Sequence, residues 1–152
     1  ERKMAEFELT SIAFNEGQPI PQKYSCEGDN ASPPLDWSAP PEGTKSLALI
    51  VHDPDAPVGD FTHWIAWNID PLDGGLDEGT HPPAEGTNGF GENGYGGPCP
   101  PPGDGAHRYQ HELFALDTQL DLEAESSREQ LEDAMEGHVL GGAELIGTYE
   151  RT

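Results

Sequence analysis

The chain has 152 residues, enough for one domain whose folding hides about 68–70% of the unfolded surface. Its 29 Asp and Glu face 7 Lys and Arg, a formal net charge of -22, which leaves a nucleic acid without the basic stripe it needs. With 19 Gly and 15 Pro the chain is rich in turns, but its Val, Ile, Leu, Phe and Trp residues gather in compact runs that disordered chains lack.

Residues 1–6 are expected to be a flexible N-terminal extension, followed by a single domain over 7–152. Phe7–Phe14 reads as a first β segment, and the prolines at 19 and 21 then interrupt regular structure. Leu35–Ser38 is a short strand with Trp37 inward, and Pro40-Pro-Glu-Gly43 has the residues of a tight turn. Ser46-Leu-Ala-Leu-Ile-Val51 is a continuous apolar run of strand length, hence a central strand covered on both faces. Thr62–Ile69 alternates bulky residues as another strand. Asp73–Gly105 is a long excursion of Gly, Pro, Asn and acids, the kind of loop that is usually functional when a compact domain keeps it.

His107–Asp117 is again strand-like. One helix follows, opened by a capping box from Ser126 with Glu129 or Ser127 with Gln130. Its face is Leu131, Met135, His138 and Val139, and Gly141-Gly142 stops it. Ala143–Tyr149 closes the chain as a final strand. The expected fold is all-β, an antiparallel sandwich of six to eight strands with one late helix and long loops. No 18-residue apolar run or signal peptide is visible, so no integral membrane segment is expected and a cytoplasmic location is the default. Cys26 and Cys99 are too few for a disulfide scaffold and lack C-x-x-C spacing; two buried thiols or one bridge both fit.

Two short segments carry the chemistry. In Asp53-Pro-Asp-Ala-Pro57 the prolines stiffen the exit of the central strand and hold Asp53 at its mouth. His63 begins the next strand, in phase with Ile65, Trp67 and Ile69. A carboxylate beside this imidazole could fix its tautomer or hold it protonated. In Gly96-Gly-Pro-Cys-Pro-Pro-Pro-Gly103 the backbone donors are few and fixed, chiefly the N–H groups of Gly96, Gly97 and Cys99. Such donors in a concave turn bind small anions. His107 and Tyr109 follow on one strand face. Arg108, on the other, is placed for an ion pair with Asp55.

No G-x-S-x-G elbow or phosphate-binding P-loop motif is present. Cys99 with His63 or His107 could form a thiol–imidazole pair but has no helix N-terminus to activate it. His107 and His111 would suit a metal on a helix, yet they lie in a strand pattern. No catalytic set, metal or cofactor is therefore expected.

Together these segments, with Ser32-Pro-Pro-Leu-Asp-Trp37, Gly43-Thr-Lys-Ser-Leu-Ala-Leu49, Gly94-Tyr-Gly-Gly-Pro98 and Gly137-His-Val-Leu140, resemble the phosphatidylethanolamine-binding protein family, in its prokaryotic branch of Raf-kinase-inhibitor-like proteins. The resemblance runs from Phe7 to Tyr149. It implies a Greek-key sandwich with a small anion-binding pocket formed by Asp53, His63, Gly97, His107 and Tyr109, and a rim of Asp55, Pro57, Pro98 and Cys99. It further implies a non-enzymatic binder of a small anion or phosphate-bearing ligand, with a kinase or protease as an alternative partner to be inhibited, and a homodimer. Thr87–Asn93 departs from the family by lacking basic residues. The acidity of the whole chain leads to the expectation of a protein adapted to high salt, because molar salt shortens the Debye length to about 3 Å and removes self-repulsion.

Overall fold

Residues 5–152 are described by the computed structural model. Their strands are β1 (Ala5–Glu6), β2 (Leu9–Thr10), β3 (Leu35–Trp37), β4 (Ser46–Asp53), β5 (Phe61–Ile69), β6 (Gly75–Leu76), β7 (Ala84–Glu85), β8 (His107–Leu116) and β9 (Val139–Tyr149), with helix α1 (Arg128–Met135) before β9. Residues 1–4 of the expected extension lie outside the described residues, while Ala5 and Glu6 pair in parallel with Gly141 and Gly142.

All eight residues of β4 are buried, Leu47–Val51 as an apolar run without polar alternation and Ser46, His52 and Asp53 with hydrogen-bond partners at Thr118, Asp60 and Asp55. β4 lies between β8 and β5 in a six-stranded sheet of order β1-β9-β8-β4-β5-β7. A second sheet, β2-β3-β6, covers one of its faces. Leu47, Leu49 and Val51 pack there with Leu9, Leu35, Trp37 and Leu76. On the other face Ala48 and Ile50 join Ile65, Trp67, Leu131 and Met135 beneath α1. The expected sandwich with one late helix is the observed architecture. No helix among the described residues is long and apolar enough to cross a membrane.

Three expectations need correction. Of Phe7–Phe14 only Leu9–Thr10 is strand, because it pairs with just Trp37 and Asp36 of the short β3. The helix has the Ser127–Gln130 capping box but ends at Met135, before His138 and Val139. Gly137, at φ +83°, turns the chain away. Gly141-Gly142 is not a stop: both residues lie inside β9, opposite Ala115 and Phe114. Of the two arrangements open to Cys26 and Cys99, the structure has the bridge, with Cα atoms 5.4 Å apart.

Candidate functional site

The site forms where β4, β5 and β8 end together and the 54–60 and 86–105 loops close over them. A cavity of about 250 Å3 is lined there by Asp53, His63, His107 and Tyr109, with Pro57, Phe61, Phe90 and Cys99 among the other walls. The strand pairing explains the convergence. Val51 faces Trp64 while His52 faces Thr62, so His63 is the extra residue of a β-bulge. The bulge resets the alternation and re-aims the side chain. His63 therefore does not share the face of Ile65 and Trp67, as its sequence phase suggested. Its ring meets Tyr109 edge-on at 5.1 Å, Phe61 at 5.0 Å and Phe90 at 5.6 Å.

His63 Nδ1 lies 2.7 Å from the Gly96 carbonyl, and the Gly96 N–H donates back to the His63 carbonyl at 2.9 Å. That fixes the neutral tautomer with Nδ1–H donating, and Nε2 keeps a free lone pair. Burial lowers the pKa of this ring, with the Gly96 hydrogen bond opposing less strongly. His63 thus offers an acceptor rather than a charge, and Asp53 is not its partner.

Asp53 instead holds His107. The His107 Nδ1 is 2.7 Å from Asp53 Oδ2, and its Nε2 is 2.6 Å from Asp104 Oδ2. Burial of the ring works against its proton, but the hydrogen bonds to Asp104 and Asp53 outweigh it and raise the pKa. The site therefore pairs one neutral and one cationic histidine. The other oxygen of Asp53 accepts the Asp55 N–H at 2.7 Å, an Asx turn that fixes the carboxylate.

Tyr109 lies beside this pair with its ring 1% exposed, and its hydroxyl has no hydrogen-bond partner among the described residues. Burial, then the Asp53 carboxylate, through its charge and as a loosely placed acceptor that makes no well-formed hydrogen bond, raises its pKa, so it remains a donor. Arg108 points away and clamps Asp55 through Nε and Nη2, both at 2.9 Å. The clamp pulls the Asp55 carboxyl down to about 2.

The glycine-rich loop supplies fewer donors than its sequence promised. The Gly97 N–H is spent on Asn30 Oδ1 at 2.8 Å, and Gly96 is engaged with His63. Gly97 lines a neighbouring cavity of about 190 Å3, of which Phe90 and Cys99 form the shared wall. The Cys99 N–H is the one of the three without a partner among the described residues. Pro98 stays behind the wall, where its carbonyl accepts the Cys26 N–H at 3.0 Å. Asp104, Phe61 and Phe90 escaped sequence reasoning. Asp104 gave a faint signal, an acid three residues before a histidine between two glycines. Nothing in the sequence pointed to Phe90.

A family model described as phosphatidylethanolamine-binding protein matches residues 10–150. The UPF0098 protein of Methanothermobacter thermautotrophicus is 51% identical over 150 residues, covering 94% of this chain and 98% of that one. The crystal structure of a phosphatidylethanolamine-binding protein homologue from Chlamydia trachomatis is similar with a TM-score of 0.92 and 47% identity, covering 97% of this chain and 99% of that one. That of E. coli YbcL gives 0.90 and 35%, over 97% of this chain and 100% of the other.

Proposed function

The chain belongs to the phosphatidylethanolamine-binding protein family, and we propose that within it this protein is a non-enzymatic binder of a small anion or phosphorylated head group. The observation that carries the reading is the buried Tyr109 hydroxyl, unpartnered on the wall of a cavity beside a cationic histidine. An anionic oxygen would accept from Tyr109, the Cys99 N–H and protonated His107. A phosphate hydroxyl or an ammonium group would donate to His63 Nε2. Hydrogen bonds to charged groups contribute about 1.5–3 kcal/mol each, so affinity for bare phosphate should be modest. We extend the proposal to the surface, whose excess of acids suits high salt.

The test is a titration of phosphate and phosphoethanolamine from pH 5 to 8. Among the described residues His107 is the one cation lining the cavity, and with its raised pKa it carries its proton below that value and loses it as pH rises through it. Affinity should then fall. His63, whose pKa is lowered, gives up any proton at a lower pH than His107 and so adds no opposing step. The His107 ring is followed by NMR through the same titration, extended to higher pH until its proton is lost; affinity that holds level while that ring deprotonates would sink the mechanism. A second reading, a module that inhibits a kinase or protease, draws on Val58, 85% exposed, and Phe90, 47% exposed, at the lip of the cavity. Partner capture abolished by changes at these two residues but indifferent to His107→Gln would favour it.

A further inference from the structure

His107 has no free nitrogen: Asp53 holds one and Asp104 the other. The two carboxylates are not equivalent. Asp53 is buried in the floor with its side chain 3% exposed and is fixed by its own turn, so it neutralises the imidazolium from behind. Asp104 reaches in from solvent, with its side chain 42% exposed, and its hydrogen bond to His107 is the only one its carboxylate makes among the described residues. It stands on a turn between Gly103 at φ +79° and Gly105 at φ +84°, and around both glycines there is open space. A second carboxylate is more than one imidazolium needs, and because Asp53 is fixed on Nδ1, an anion can bond this ring only by taking the place of Asp104 on Nε2.

We propose that the Asp104 carboxylate is an internal occupant of the anion position, held on His107 Nε2 until a ligand displaces it. The inference rests on the anion-binding reading above and adds the residue that sets the threshold for it. Carboxylate and phosphate oxygens are acceptors of the same kind for a cationic N–H. A carboxylate tethered three residues away competes at an effective concentration on the order of millimolar or more. Weakly bound ions are thereby kept out of the site. A ligand succeeds when it offers more than a single carboxylate does, through further contacts to Tyr109, His63 Nε2 or the apolar wall of Phe61 and Phe90. Monodentate carboxylates are the class the latch rejects, and phosphomonoesters with an attached organic group are the class it admits.

Calorimetric titration of inorganic phosphate into the full chain, Asp104→Ala, Asp104→Asn and the distant exposed control Asp121→Asn, all in molar KCl, tests this. Titrated at pH 5, where loss of the Asp104 contribution to the His107 pKa weighs least, Asp104→Ala should bind about tenfold more tightly than the unaltered chain, as removing a competing charge-assisted hydrogen bond implies. Asp104→Asn keeps the turn and an acceptor but no charge; it should gain less, and it carries the test if the alanine variant fails to fold. Asp121→Asn should match the unaltered chain. Equal affinity with and without Asp104 overturns the internal occupant and leaves the anion site standing. A gain in Asp121→Asn as large as in Asp104→Ala also overturns it, because relief of overall charge would then be the cause. No binding by any of the four proteins overturns this inference and the anion-binding reading together.

Discussion

A hydroxyl hidden from water without a partner costs about 1–3 kcal/mol, and Tyr109, with only the Asp53 carboxylate loosely in reach, bears part of that cost in the free protein. Phenylalanine has the same ring and nothing to satisfy. Tyr109→Phe should therefore melt at the same temperature as the parent or higher, yet bind phosphate about tenfold more weakly. Thermal melts and calorimetry on the pair decide it: a clear loss of stability would mean that the hydroxyl has a structural partner instead of a waiting one. The site residues legible in sequence were those whose backbone already pointed them the right way. Asp53, His107 and Tyr109 fall on strand ends and all line the cavity, but Asp53 meets His107 and not His63, beside which its spacing had set it. His63 was singled out with the wrong facing and the wrong partner, since its Nδ1 meets the Gly96 carbonyl and not Asp53. Period-2 counting cannot see a bulge, and a bulge sets both its aim and its burial. Gly97 was read as a donor because glycine can approach a ligand closely. It approaches the Tyr24 carbonyl and Asn30 instead, where a Cβ would collide.

At the scale of elements, the strongest signals were continuous apolar runs and capping chemistry, since both are set within a few residues. β4, β5 and β8 appear close to their expected bounds, and Ser127 with Gln130 opens α1. What sequence hid was pairing between distant segments: β1 on β9, the brevity of β2, and the bridge between Cys26 and Cys99. That bridge matters to the site because Cys99 is part of the cavity wall, while Cys26 follows the 3-10 turn Gln22–Tyr24, on which the Tyr95 hydroxyl is also anchored at 2.7 Å. It spans 73 residues, for which the chain-entropy account gives about 4 kcal/mol of stabilisation. Denaturant unfolding with and without dithiothreitol should show a loss of that order, and a Cys26→Ser, Cys99→Ser double variant should reproduce it and lose its response to the reductant. Identical midpoints for oxidised and reduced protein would rule out a bridge that closes the wall.

For the molecule as a whole the question is what offsets a formal charge of -22. Ion pairs do little of it. Lys23, Arg108, Arg128 and Arg151 already sit against carboxylates, and pairs this exposed contribute roughly 0–1 kcal/mol each. Their cations are too few for 29 acids, so the remaining carboxylates repel through solvent. Between unlike conditions the difference is large: repulsion reaches about 10 Å at 0.1 M salt and about 3 Å at 1 M. The melting temperature should therefore climb steeply from dilute buffer to molar KCl, and equal melts would remove the high-salt reading. Salt also strengthens burial of apolar surface, so a rise alone does not identify the cause. Neutralising the exposed Asp121, Glu123 and Glu136 to Asn and Gln separates the two. If repulsion is responsible, this variant melts higher in dilute buffer and its salt dependence flattens below about 0.5 M, where screening is still incomplete. If its curve merely runs parallel to the parent's, the carboxylates are bystanders and the salt acts on the core.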